Sequence, residues 1–286
     1  MKSLLITGAN GQLGTELSKL LPAAILTDYQ DLDITNKSAV DNFVEKYKVE
    51  TIVNCAAYTA VDAAEDDFDK ASKINVDGPR NLAQTGRKLI HISTDYVFDG
   101  SASEPYTPQS PVWPLSVYGD TKLQGEVAVL ENNPTHSVII RTQWLYSPYG
   151  KNFVKTMRNL GASRKEITVV ADQFGKPTYA ADLAVAIAQV IPQMKTENAG
   201  VYHYSNSCDA ADAIRGISWC DFATEIMKQS NLDCAVKPIT TDEYPTRAVR
   251  PRYSVLDTNK IQQTFGIKIP VWKDALHRCI NEIERR

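Results

Sequence analysis

A glycine-spaced turn joining a strand to a helix constrains this chain more than any other feature. Leu4 to Thr7 is a short apolar run, and Gly8-Ala9-Asn10-Gly11-Gln12-Leu13-Gly14 follows it directly, opening the apolar-periodic stretch Gln12 to Leu21. A parallel strand that turns at once into a helix uses its first glycine for the turn. A second lets a bound group approach the backbone, and a third lets helix and strand pack closely. Free amides at such a helix start attract an anion. Gly8, Gly11 and Gly14, with Asn10, Gln12 and Leu13 between them, therefore predict a pyrophosphate cradle for a dinucleotide. The spacing is Gly-x-x-Gly-x-x-Gly, not the Gly-x-Gly-x-x-Gly of many dehydrogenases, and a plain glycine turn is the simpler alternative.

The pattern around the turn supplies its context. Strand-like runs recur at Ala24 to Thr27, Thr51 to Asn54, Leu89 to Ser93 and Ser137 to Arg141, separated by helical stretches at Lys37 to Tyr47, Asp67 to Thr85 and Val117 to Glu131. That alternation predicts an α/β chain with a doubly wound parallel (Rossmann) sheet over residues 1–145. Residues 146–286 are less regular and are expected to form a smaller, partly interleaved substrate-binding domain. Segments near 172–205 return to the first domain: Ala181 to Ile191 reads as a helix and Val201 to Ser205 as a strand. Ile167 to Val170 and Trp219 to Gln229 read as a strand and a helix, and Ser207 to Gly216 as a surface loop without assigned chemistry.

Composition narrows the partners. The 286 residues carry a formal charge of −3, with 43% hydrophobic and 23% charged residues, which suits a globular protein and gives no overall positive field for nucleic acid or anionic lipid. Met1 to Thr7 is too short an apolar segment for a signal-peptide core, and no later apolar run approaches membrane-spanning length, so neither secretion nor membrane insertion is expected. Five scattered cysteines without metal-finger spacing read as reduced thiols in a cytoplasmic protein.

Asp28 ends the second strand, where an acid can accept hydrogen bonds from a ribose 2′-hydroxyl, which favours NAD(H). An acid at a strand end is equally at home as a turn residue. Asp33 can sit near the adenine edge or be a solvated loop acid. Tyr118-Gly119-Asp120-Thr121-Lys122 places a phenol and an ammonium on one helix face. Ser93-Thr94-Asp95 closes the fourth strand run, at the carboxyl end where ligands bind such sheets. A neighbouring ammonium is expected to pull the phenol's pKa down from about 10 towards the working range. Thr94 can then hold a substrate carbonyl while Tyr118 protonates its oxygen and a reduced nicotinamide, NADPH or NADH, delivers hydride to its carbon.

With these residues in view, the chain resembles the extended short-chain dehydrogenase/reductases, and within them the dTDP-4-dehydrorhamnose reductases. The likeness is carried by Gly8 to Gly14, Asn54 to Asp62, Ser93 to Gly100, Tyr118 to Glu126, Arg141 to Tyr146, Asn152-Phe153, Asp172 to Thr178, Tyr244-Pro245-Thr246 and Arg250-Pro251. The resemblance implies NAD(P)H-dependent reduction of the 4-keto group of dTDP-6-deoxy-L-lyxo-4-hexulose to dTDP-L-rhamnose, with Thr94, Tyr118 and Lys122 catalytic. It implies cofactor contacts at the glycine loop, Asp33, Ala56, Ala57 and Lys122, and it weakens the NAD-only inference from Asp28. Substrate contacts are implied at Val61, Trp144, Asn152 and Arg250. For Trp144 core packing is the competing role, and for Arg250 a surface ion pair. Some relatives hold Mg²⁺ through glutamates at a dimer interface; Glu16 resembles one of these, but Lys273 stands where a further carboxylate would help. Glu16 is accordingly expected as a first-turn helix acid and no metal is predicted, although a homodimer is allowed.

Two rival functions share the fold. A sugar-nucleotide dehydratase or epimerase shares the Tyr/Lys pair, but dehydratases carry Asp-Glu after the threonine, where this chain has Asp95-Tyr96. A non-catalytic regulatory subunit resembling methionine adenosyltransferase β would have no need of an intact Thr94, Tyr118 and Lys122 set.

Overall fold

Five β-favouring runs in the first half of the chain form β1 (Leu4–Thr7), β2 (Ile25–Thr27), β3 (Thr51–Asn54), β4 (Lys88–Thr94) and β5 (Ser137–Thr142) in a computed structural model that describes residues 3–286. Met1 and Lys2, with which the N-terminal reading began, lie outside the described residues. A sixth strand, Gly200–His203, joins the same parallel sheet, whose order is Gly200–His203, β5, β4, β3, β1, β2.

Alternation along the strands builds the layers. Leu5, Ile52, Leu89 and Ile139 face one side, where they pack with Val40 and Val44 of α2 (Lys37–Lys46) and Leu82 of helix Gly78–Ala83. Ile6, Val53, Ile90, Val138 and Ile140 face the other, against Leu13 and Leu17 of α1 (Gln12–Leu20) and Leu183 and Ile187 of helix Ala180–Val190. Each fully buried Leu or Ile in these layers contributes roughly 1.5–3 kcal/mol of transfer free energy. A separate apolar cluster in the second half gathers Tyr146, Phe222, Ile226, Trp272 and Leu276. No helix among the described residues is long and apolar enough to cross a membrane, and all five cysteines are free thiols.

One expected element differs. Asp67 to Thr85 is not a continuous helix: Phe68–Ser72 runs into a π-type turn at Lys73–Asp77 and then into Gly78–Ala83. Pro79 has no N–H to donate back one turn, so a regular α ladder cannot pass through it, and the wider turn absorbs the break. The turn also aims Asn75 inward, where its amide accepts from Tyr58 N–H (2.8 Å) and donates to the Thr121 hydroxyl (3.1 Å) on helix Val117–Asn132. The segment Ser207 to Gly216 is anchored at its edges: Ser207 bridges to Val271, and Asp209 pairs with Lys273 at 3.0 Å.

Candidate active site

The carboxyl ends of the strands are brought level by a buried polar chain. Thr7 donates to Asn54 (2.7 Å), Asn54 meets the His91 ring at 3.1 Å, and the same Asn54 oxygen accepts from Ala56 N–H (3.1 Å), which fixes the turn carrying Ala56 and Ala57. Above these ends lies a cavity of about 500 Å³. Gly8, Gly11, Gln12, Leu13 and Gly14 line it, as do Ala57 and Val61. Thr94, Tyr118, Lys122 and Trp144 complete the expected residues in its wall.

The glycine turn is built for close approach. Gly8 has φ +66°, and a Cβ there would lie 2.6 Å from Ala56 N. A Cβ on Gly14 would lie 2.3 Å from the Gly8 carbonyl oxygen and 2.6 Å from Ala9 Cα, so α1 can start against β1 only as glycine. This cradle, at the start of α1 where the first helical amides have no partner within the helix, fits a dinucleotide pyrophosphate. Gly14→Ala is expected to lower affinity for the reduced nicotinamide cofactor at least about tenfold, with a stability loss of about 1–3 kcal/mol from overpacking. A fluorescence titration with NADPH checks the first, and unchanged affinity would remove the loop from the cofactor site.

Other expected cofactor residues stand just outside this wall. Asp28 braces the loop: one carboxylate oxygen accepts from Asn10 N–H (3.0 Å) and the other from Tyr29 N–H (2.8 Å). Asp33 accepts from the N–H and hydroxyl of Thr35, closing its own turn.

Tyr118 and Lys122 lie in the first two turns of helix Val117–Asn132, whose Ser116 cap accepts from Gly119 N–H at 3.2 Å. The Tyr118 ring is fixed edge-on by Tyr96, with centroids 5.5 Å apart and planes at 75°, and Thr94 lines the same cavity. Thr94 in turn donates to Asp95 (3.1 Å). Burial pushes the Asp95 carboxyl up to about 6, and one of its oxygens is buried without a partner.

The electrostatics correct one expectation. Lys122 does not pull the Tyr118 phenol down: burial pushes it up to about 12, against the Thr94 hydrogen bond, with Asp95 adding to the rise. The Lys122 ammonium donates instead to the Ile92 carbonyl (2.7 Å). Burial also brings Lys122 down to about 8, a fall opposed by the charge of Glu126 and by Cys55. Removal from water sets the direction, and the phenol stays protonated at neutral pH.

A second cavity, of about 540 Å³, adjoins the first. Trp144, with φ +47°, stacks at 3.6 Å on Trp219, which lines the second cavity, so the two spaces share an aromatic wall. Arg250 lines the second cavity and is held by Asp62. Asn152 caps helix Phe153–Ser163 by accepting from Lys155 N–H, and its amide donates to Gln12 (2.9 Å) and the Ser147 carbonyl (2.7 Å), so it holds a loop against the cradle.

Glu16 is not the expected first-turn acid. It lies in the second turn of α1, buried, with Lys19 Nζ at 2.9 Å; the same ammonium is 2.9 Å from Glu282. A fixed ammonium between these carboxylates does not fit a divalent cation, and no cluster of three or more metal-ligating side chains occurs among the described residues.

Sequence reasoning left Asp95, Tyr96 and Gln143 without roles. All three line the first cavity. Their positions directly after β4 and β5, at the ligand-facing end of the sheet, were the available signal.

Comparison with known proteins gives a consistent picture. Residues 1–285 match the family model described as RmlD substrate binding domain. A dTDP-4-dehydrorhamnose reductase of Aggregatibacter actinomycetemcomitans is 42% identical over 295 aligned residues, covering 96% of this chain and 97% of the relative. The crystal structure of a dTDP-4-dehydrorhamnose reductase from Clostridium acetobutylicum superposes with a TM-score of 0.92 at 46% identity, over 99% of this chain and 100% of that one. The Bacillus anthracis dTDP-4-dehydrorhamnose reductase in complex with NADP gives 0.91 at 42% identity, with the same coverage.

Proposed function

This chain belongs to the RmlD substrate-binding-domain family, and on that premise we propose that it reduces the 4-keto group of dTDP-6-deoxy-L-lyxo-4-hexulose to give dTDP-L-rhamnose, using NADPH or NADH. The observation that carries this reading is the gathering of Thr94, Tyr118 and Lys122 in the cavity that the glycine cradle also lines.

The residues divide the work. Gly8, Gly11 and Gly14 and the first amides of α1 would hold the cofactor pyrophosphate, with Asp28, Asp33, Ala56 and Ala57 as the further residues that would contact it. Lys122 binds the cofactor ribose. When bound, the reduced nicotinamide supplies a hydride to the carbonyl carbon. Thr94 turns its hydroxyl from Asp95 to the carbonyl oxygen, and Tyr118 Oη donates the proton that completes the alcohol. The Lys122 ammonium, on the same helix face, donates to the Ile92 carbonyl and so holds the start of this helix against the end of β4. Val61 and Trp144 border the sugar, Arg250 meets the diphosphate, and the second cavity takes the nucleoside.

In this reading residues 1–145 serve the cofactor and 146–286 mainly the substrate. The enzyme works in the cytoplasm on a soluble nucleotide sugar, without nucleic acid or membrane, alone or as a homodimer. The test is loss of reduced-nicotinamide absorbance when purified protein meets the 4-keto sugar nucleotide with NADPH and with NADH. Turnover with at least one is expected. No turnover with either would turn the reading towards a regulatory binder.

A further inference from the structure

The seam between the two cavities contains an ion pair whose carboxylate has no part in the reaction given above. Asp62 belongs to α3 (Val61–Ala64), directly after Val61 of the first cavity's wall, and Arg250 lines the second cavity. Their contact is forked: Arg250 Nη2 to Asp62 Oδ2 is 2.7 Å, and Nη1 to Oδ1 is 3.2 Å. Tyr96, in the first cavity, feels the charges of both. A nucleotide sugar whose ketone meets Tyr118 and whose nucleoside enters the second cavity must carry its diphosphate across this seam.

We propose that Asp62 is a resident counter-ion in the place of the substrate diphosphate, which holds Arg250 in the empty site, yields it when the diphosphate arrives and retakes it when product leaves. The inference rests on the reading given under Proposed function. Geometry and charge both favour exchange. Guanidinium forks accept a carboxylate or a diphosphate in the same two-bond manner, and the diphosphate brings more negative charge. The Asp62 side chain is 43% exposed against 22% for Arg250, so the released carboxylate passes into water while the guanidinium stays at the seam. The segment bearing Arg250 has anchors besides Asp62, since Arg247 pairs with Asp66 and Arg250 Nη1 donates to the Ala248 carbonyl (3.1 Å). Left unexchanged, the Asp62 carboxylate would face the diphosphate as a like charge.

Asp62→Asn keeps the acceptor for Ala248 N–H and removes the charge. Calorimetric titration of the full chain, saturated with NADP, uses dTDP and thymidine as probes on wild type, Asp62→Asn and the control Asp66→Asn. The expected result is dTDP binding about tenfold tighter in Asp62→Asn, with slower dissociation, thymidine unchanged and Asp66→Asn like wild type. Equal or weaker dTDP binding in Asp62→Asn would overturn the exchange and leave Asp62 as a brace for Arg250. An equal gain in Asp66→Asn would reduce it to a general field effect. Wild type that neither binds dTDP nor turns over the 4-keto sugar nucleotide would instead remove the underlying functional reading.

Discussion

Tyr118→Phe is expected to lower kcat by about 10²- to 10⁴-fold while cofactor affinity and KM stay within about threefold of wild type. The substitution removes only the oxygen. The ring keeps its edge-on contact with Tyr96 (5.5 Å, 75°), and the Ser116 cap and the Lys122 bond to the Ile92 carbonyl do not involve the phenol. What is lost is the proton that a phenol raised to about 12 retains at neutral pH and delivers to the carbonyl oxygen. An interaction made only as charge develops in the transition state should reduce kcat and kcat/KM equally, as steady-state kinetics would report. An unchanged kcat would remove Tyr118 as the donor.

The largest stability effect is expected one helical turn beyond Lys122. Glu126 and Arg141 form a buried forked pair, Nε to Oε1 at 2.8 Å and Nη2 to Oε2 at 2.6 Å, and Glu126 also accepts from the hydroxyl of Ser93, next to Thr94. The pair therefore ties the helix carrying Tyr118 and Lys122 to the ends of β4 and β5. Glu126→Ala leaves the Arg141 guanidinium buried without a counter-charge and should cost about 3–5 kcal/mol. Glu126→Leu combined with Arg141→Met removes both charges and should be clearly more stable than Glu126→Ala, because paired buried charges are often replaceable by apolar groups of similar volume. Urea unfolding measures both. A loss below about 1 kcal/mol for Glu126→Ala would show that the pair does not hold these elements together.

The parts of the fold visible in the sequence are those set by local pattern. Central parallel strands are buried on both faces and so read as short continuous apolar runs, which is why Thr51–Asn54 and Ser137–Thr142 were found nearly to the residue. The helix expected over Asp67 to Thr85 failed because its periodicity continues through Pro79 while its hydrogen bonding does not. At the candidate site, the glycine turn and the Thr94, Tyr118 and Lys122 set were legible because each sits at a strand end or helix start. The direction of the Tyr118 shift was not, since spacing reveals that a cation is near but not how much water is removed. Asp62 and Arg250 are 188 residues apart, and Trp144 meets Trp219 at the start of a distant helix, so neither contact leaves a local trace. The cap role of Asn152 has a local signal, an asparagine directly before an apolar helix, that sequence alone could have shown.

Transfer of deuterium from the nicotinamide to the sugar tests the central claim most directly. With reduced cofactor deuterated at its transferable position and the 4-keto sugar nucleotide as substrate, mass and proton spectra of the product should show one deuterium per molecule, on the carbon that was the carbonyl, one for each cofactor oxidised. Product without deuterium, or deuterium at a neighbouring carbon, would contradict direct reduction in this cavity.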